Sequence, residues 1–115
     1  MELQVIDKRN ILDHEVTTYG DLENPLFLAK DVAEWIEHSD VSKMVKNVDD
    51  DEKIIARTNN TSATFLTEDG LYEVLMQSRK PIAKQFKKKV KKLLKDLRLN
   101  KFNPFENMSK ELKAI

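Results

Sequence analysis

The sequence predicts an α+β domain: a small antiparallel sheet and a hairpin packed with several short helices and one long amphipathic helix. Three observations predict it. Short runs rich in β-branched and aromatic residues, bounded by turn residues, occupy the first quarter of the chain and return at 53–66, which is strand composition. Apolar residues at helical spacing dominate the segments between and after them. From Pro81 onward, Ile82, Phe86, Val90, Leu93 and Leu97 recur at spacings of 4, 4, 3 and 4, the period of a helix pressed on a core.

Taken in order, residues 3–6 and 11–19 read as strands with 7–10 as the turn between them, 20–25 as loop, and 26–29 as a short buried strand, together a small meander. A helix runs from Lys30 to near His38, with Asp31 in its first turn, where a carboxylate suits the positive end of the dipole, and Val32, Trp35 and Ile36 sharing a face. Ser39 or Asp40 caps a second short helix with Val41, Met44, Val45 and Val48 inward. The pair has the outline of a helix-turn-helix. Residues 53–57 and 63–66 form a hairpin about a turn at 59–62. Thr67 caps a helix starting at Glu68, with Leu71, Tyr72, Val74 and Leu75 inward. After a tight turn at 78–80, Pro81 opens the long helix, where its missing N–H costs nothing. That helix is expected to end near Asn100. Asn103, Pro104 and Glu106 then approximate a capping box. The domain is therefore assigned to 1–100, and 101–115 to a short C-terminal helix or a lead-in to a partner or an absent C-terminal region.

One domain is what 115 residues support. Its net charge of zero hides a division: residues 1–78 hold 7 Lys/Arg against 17 Asp/Glu, and residues 79–101 hold 11 against 1. A polyanion would meet the local field of the second segment and be turned away from the first. The charges of the long helix fan around the side opposite its apolar stripe, as Lys84, Lys87, Lys88, Lys91, Lys92 and Lys95, with Arg98 beyond. Lysines four apart repel, at about 0.2–0.5 kcal/mol per pair, and Lys84–Lys88, Lys87–Lys91, Lys88–Lys92 and Lys91–Lys95 are four such pairs. Solvation alone gives no reason to keep that cost, whereas a phosphate backbone does. Lysine supplies point charges without base information. Base contacts are expected instead from Arg57, Asn59 and Asn60 at the hairpin tip and from Arg79 at the turn, with Lys80 beside it.

Other chemistries find no support. With no cysteine there is neither a disulfide nor a thiolate site. His14 and His38 have no cysteine partners for zinc. The acidic run 49–52 fails the calcium-loop pattern because Lys53 stands at the fifth position and Asn60 at the twelfth. Gly20 and Gly70 make no phosphate-cradling loop. No nucleophile is placed with a base, so no enzyme activity, metal or cofactor is expected. Trp35, spaced with Val32 and Ile36, reads as core. Neither a signal-peptide apolar region nor a run long enough to span a membrane is visible, and the chain reads as soluble and intracellular.

Three blocks bring in a family. The segment 26–34 (LFLAKDVAE), the stretch 48–53 (VDDDEK), and Gly70, Leu71, Tyr72, Ser78, Arg79, Lys80, Pro81, Ala83, Lys84 and Phe86 within 66–86 stand in order and at matching spacing. Over roughly residues 3–98 the chain resembles the N-terminal domain of the BRO family (Bro-N), found in phage antirepressor-like proteins and baculovirus BRO proteins. It departs from the family pattern at Leu26 and Lys89, where tryptophan is usual, and at Lys95, where proline is usual. The last two changes make the long helix more basic and remove an expected break. The resemblance implies a double-stranded-DNA-binding transcriptional regulator of phage or prophage type, acting in the bacterial cytoplasm. It also implies an alternative, an antirepressor that inactivates a phage repressor protein by binding it. A homodimer, formed by the basic segment of one copy against the acidic half of another, is a third possibility that follows from the charge division alone.

Overall fold

The computed structural model describes residues 3–58 and 60–102, the last two by their backbone alone. Strands β1 (Val5–Ile11), β2 (His14–Gly20) and β3 (Pro25–Leu28) lead into helices α1 (Ala29–Trp35) and α2 (Val41–Val45). A single 3-10 turn at Asp50–Glu52 precedes the hairpin β4 (Lys53–Thr58) and β5 (Thr61–Thr67), and helices α3 (Glu68–Gln77) and α4 (Pro81–Phe102) close the domain. The meander and the hairpin are one sheet. Phe27 pairs with Leu66 and Leu28 with Phe65, giving the antiparallel order β1-β2-β3-β5-β4. This is the α+β arrangement expected.

Several boundaries differ from the sequence reading, each for a physical reason. Residues 7–10 lie within β1, and the turn is Leu12-Asp13, both at positive φ (52° and 66°) between the closing pair Ile11 and His14. That is the two-residue turn geometry that matches strand twist. It lacks the usual Asn-Gly signature because Leu12 packs against the core. Helix α1 stops at Trp35, earlier than His38, because Glu37 takes φ 55° and the His38 and Glu37 N–H groups close back on the carbonyls of Ala33 and Glu34 at 2.8 and 3.2 Å. This is a Schellman end with glutamate where glycine is common. Thr61 and Ser62 belong to β5, not to the turn, since Thr58 pairs with Thr61. Helix α4 continues to Phe102, unbroken through Lys95. The expected caps are present: Asp40 Oδ1 accepts from the Lys43 N–H at 3.1 Å and Thr67 Oγ1 from the Gly70 N–H at 3.1 Å. The helix expected in 103–115 falls outside the described residues.

The core forms where the helices meet one face of the sheet. Val16, Phe27 and Leu66 from the strands join Val32, Trp35, Ile36, Leu71 and Leu75. From α4 come Phe86, Val90 and Leu93, as the spacing predicted, together with Ala83 and Leu94, which the stripe omitted. Ile82 and Leu97 are only partly buried at its flanks. Trp35 is core, as expected, at 2% exposure. Its ring stacks on Phe86 at 5.2 Å and 10° and takes an edge-to-face contact with Phe27 at 6.4 Å. On the other face of the sheet Tyr19 and Phe65 meet edge to face at 5.1 Å. The sheet curls enough that Leu3, just before β1, donates its N–H to the Arg57 carbonyl of β4 at 2.9 Å.

Candidate nucleic-acid interface

The apolar stripe of α4 fixes the opposite side in solvent. Lys84, Lys88, Lys91, Lys92 and Lys95 are exposed and Lys87 is half-buried. None of the six makes an ion pair with a described residue. From Lys84 to Lys95 the helix rises about 17 Å at 1.5 Å per residue, so the cations form a stripe long enough to follow several phosphates. Lys91 differs from the rest, because its Nζ lies 5.4 Å from the Tyr72 ring centroid of α3.

Arg98 does not belong to this stripe, contrary to the sequence reading. It is an anchor: Nη2 donates to Glu68 Oε1 at 2.6 Å, Nη1 to Oε2 at 3.3 Å, and Nε to the Leu22 carbonyl at 3.1 Å. These bonds tie α4 to the start of α3 and to the β2–β3 loop. Burial pulls the Glu68 carboxyl upward, but hydrogen bonds from Arg98 and from the Tyr72 hydroxyl (2.9 Å) outweigh it and hold the carboxyl below its ordinary 4.5. The folded value is the lower one, so Glu68 stabilises the fold above the ordinary carboxylate range, and that contribution is lost as pH falls from about 4.5 through the folded value. Arg98→Ala is therefore expected to cost about 1 kcal/mol at pH 7, modest because the pair is partly solvated. The cost shrinks as pH falls through the folded value, which urea denaturation of both proteins at pH 7 and over a descending acid series would measure.

The turn residues Arg79 and Lys80 stand at a different feature. Lys80 Nζ donates to the Glu37 carbonyl at 2.6 Å, which draws the start of α4 against the α1–α2 turn. A cleft of about 370 Å³ opens there between α2 and the end of α3, where Arg79 and Lys80 are joined by His38, Lys43, Asn47 and Gln77. The last four were missed. Lys43 and Asn47 are one helical turn apart, but nothing local to α2 signals that a turn more than 30 residues later comes to face it. The cleft has the donors a base edge or a phosphate needs: a guanidinium, two ammonium groups and two side-chain amides.

The hairpin candidates are elsewhere. Lys53, at the start of β4, reaches the Val45 carbonyl of α2 with its Nζ at 3.1 Å, and the hairpin tip is a strand length, about 17 Å, further on. Arg57 is exposed and its Nη2 approaches the Asn60 carbonyl at 3.5 Å; Asn60 holds φ 64°. Asn59 lies outside the described residues. No hydrogen bond or ion pair among the described residues joins this tip to the cleft or to the lysine stripe. The acidic run is a surface turn in which carboxylate oxygens of Asp49, Asp51 and Glu52 lie within 4.8 Å of one another. No helix among the described residues is long and apolar enough to cross a membrane.

Comparison with known proteins places this architecture. The chain is 26% identical to a Bro-N domain-containing protein of Invertebrate iridescent virus 6, in a match covering 68% of this chain and 24% of that protein. It therefore spans about a quarter of that relative's length. No solved structure matches it significantly. The family description "BRO family, N-terminal domain" matches residues 15–96, from β2 to the last turns of α4. The chain belongs to the BRO family, as its N-terminal domain.

Proposed function

We propose that this domain is a DNA-binding regulator of phage or prophage type, and that α4 lays its lysine stripe along the phosphate backbone of a duplex. The observation that carries the reading is the set of solvent-facing lysines at i, i+4 spacing with no anionic partner among the described residues. The stripe positions the domain, and Arg79, with Asn47 and Gln77 in the adjoining cleft, reads base edges, since guanidinium and amide groups make the bidentate contacts that distinguish bases. The role is binding, not catalysis.

The test is fluorescence anisotropy with random and operator-like duplexes over a range of salt. With about five phosphates neutralised, the slope of log K against log[salt] is near −4 to −5. Lys84→Ala, Lys88→Ala and Lys95→Ala together should weaken all duplexes alike and flatten that slope by about three units. They should leave the fold at least as stable, because they relieve like-charge repulsion and alanine favours helix. Arg79→Ala should instead reduce the preference among sequences with a smaller change in slope. Absence of binding at low salt overturns the reading, and nuclease-insensitive co-purification with a repressor protein would replace it by the antirepressor one.

A further inference from the structure

The turn between α3 and α4 holds an arginine that the fold itself does not use. Arg79 is exposed and makes no hydrogen bond or ion pair with a described residue, whereas its two neighbours are tied down. Ser78 Oγ accepts from the Lys80 N–H at 3.3 Å, closing the turn on itself, and Lys80 Nζ donates to the Glu37 carbonyl at 2.6 Å, fixing the turn to the end of α1. The backbone under Arg79 is therefore set in advance, and its five N–H donors remain for a ligand.

Gln77, two residues earlier, lines the same cleft and is held in a different way. Its Nε2 donates to Glu73 Oε1 at 3.0 Å, one helical turn back. A carboxylate only accepts, so the amide nitrogen must face Glu73 and the amide oxygen of Gln77 is the end that can accept from a ligand. The rim thus offers paired donors from the guanidinium and, two residues away, an acceptor. None of the residues lining the cleft is acidic, so nothing in its lining repels a flanking phosphate. Base pairs differ in this very pattern in the major groove. A G·C pair presents two guanine acceptors, N7 and O6, and then the cytosine N4 amino donor, whereas an A·T pair sets the adenine N6 donor between two acceptors. A guanidinium satisfies both guanine acceptors at once, but on adenine one of its N–H groups would face another donor.

We propose that this rim selects a G·C base pair. Arg79 donates to guanine N7 and O6, and the Gln77 amide oxygen accepts from the cytosine N4 amino group. Ser78 and Glu73 are positioning residues: the first fixes the turn that carries Arg79, and the second fixes the amide of Gln77. The inference rests on the reading of α4 as a duplex-binding helix and names the base pair that the neighbouring turn takes. Lys84, the first cation of the stripe, follows Arg79 by five residues across the start of α4, so a phosphate backbone lying on the stripe brings the adjoining groove to the turn.

The test uses the whole chain. A duplex library with a random core is enriched for bound sequences, and fluorescence anisotropy then compares the selected duplex with versions altered at one pair. A G·C pair should be enriched, and its replacement by A·T should weaken binding about tenfold. Inosine opposite cytosine keeps N7 and O6 and should bind as guanine does, whereas a deazaguanine lacking the N7 acceptor should bind about threefold more weakly. With Arg79→Ala these duplexes should bind alike, which shows that residue and base edge act on each other. Ser78→Ala and Gln77→Ala should each lower the ratio of G·C to A·T affinity about threefold with the salt slope unchanged, and Ser78→Thr, which keeps the hydroxyl, should retain it. A turn that merely supports the fold would instead weaken all duplexes equally, and circular dichroism checks that each variant is folded. Failure to bind any duplex at low salt strikes the underlying reading. Binding with no enriched G·C pair, a preference that survives Arg79→Ala, or a ratio unmoved by Ser78→Ala and Gln77→Ala overturns this inference alone.

Discussion

Phe86→Ala lowers the unfolding free energy by about 3–5 kcal/mol, the range for emptying a fully buried aromatic site. Phe86 has no exposed surface, stacks on Trp35 at 5.2 Å, and receives the edge of His14 at 5.7 Å, so one side chain joins α4 to α1 and to β2. Rigid rings around the vacancy relax little, which places the cost in the upper part of that range. Small domains have about 5–15 kcal/mol in all, so the variant sits near the edge of stability. Phe86→Leu keeps most of the volume and should lose only about 1–2 kcal/mol. Trp35 is the chain's single tryptophan and touches the altered site, so its fluorescence during urea denaturation reports the change directly. A loss below about 1 kcal/mol for the alanine variant would mean that α4 is not anchored there. The comparison with the lysine variants separates the two sides of one helix: Phe86→Ala should weaken the fold, whereas the lysine replacements should leave it intact.

That separation was legible in the sequence because a helix converts spacing directly into direction. Phe86, Val90 and Leu93 at intervals of 4 and 3 had to share a face, and the lysines between them had to point away. Ala83 and Leu94 were overlooked because one is small and the other follows another leucine, although both lie within the same arc. Turns were less legible where they used atypical residues. Leu12-Asp13 and Glu37 hold positive φ without glycine, since tertiary packing at Leu12 and the paired carbonyls at Glu37 stabilise what local propensity disfavours. Long-range pairings were not legible at all. Nothing near Phe27 names Leu66 as its partner, so two separate strand groups could not be seen as one sheet. Nor could Arg98 be distinguished from its lysine neighbours until Glu68, 30 residues earlier, stood opposite it. The candidate site divides in the same way: the stripe follows from periodicity, and the cleft follows from a contact between Lys80 and Glu37 that spans 43 residues.

Gly70→Ala is the second large effect, and its sign opposes the usual rule. In an exposed helix interior, alanine for glycine gains about 1 kcal/mol. Here a Cβ at residue 70 would lie 2.2 Å from the Glu52 carbonyl oxygen, closer than any real contact allows. The obstacle is backbone, so it cannot rotate aside, and it is held from two directions. The Thr67 hydroxyl donates to that same carbonyl at 3.2 Å while its oxygen caps the Gly70 N–H, and the Glu52 N–H closes the 3-10 turn on Asp49 at 2.9 Å. Making room therefore displaces either the first turn of α3 or the entry to β4, at the cost of the cap or of the strand register. Overpacking of this kind exceeds the gain in propensity, and a net loss of about 2–4 kcal/mol is expected. Met76→Ala, at a 63% exposed position of the same helix, should stay within about 0.5 kcal/mol and serves as the control. Urea denaturation of the two variants beside the unmodified chain decides the matter, and a Gly70→Ala midpoint at or above the original would show that the helix and the turn are not in contact. If the loss is found, glycine at this position is required by the approach of a neighbouring backbone, with no need for the conformational freedom for which glycine is more often kept.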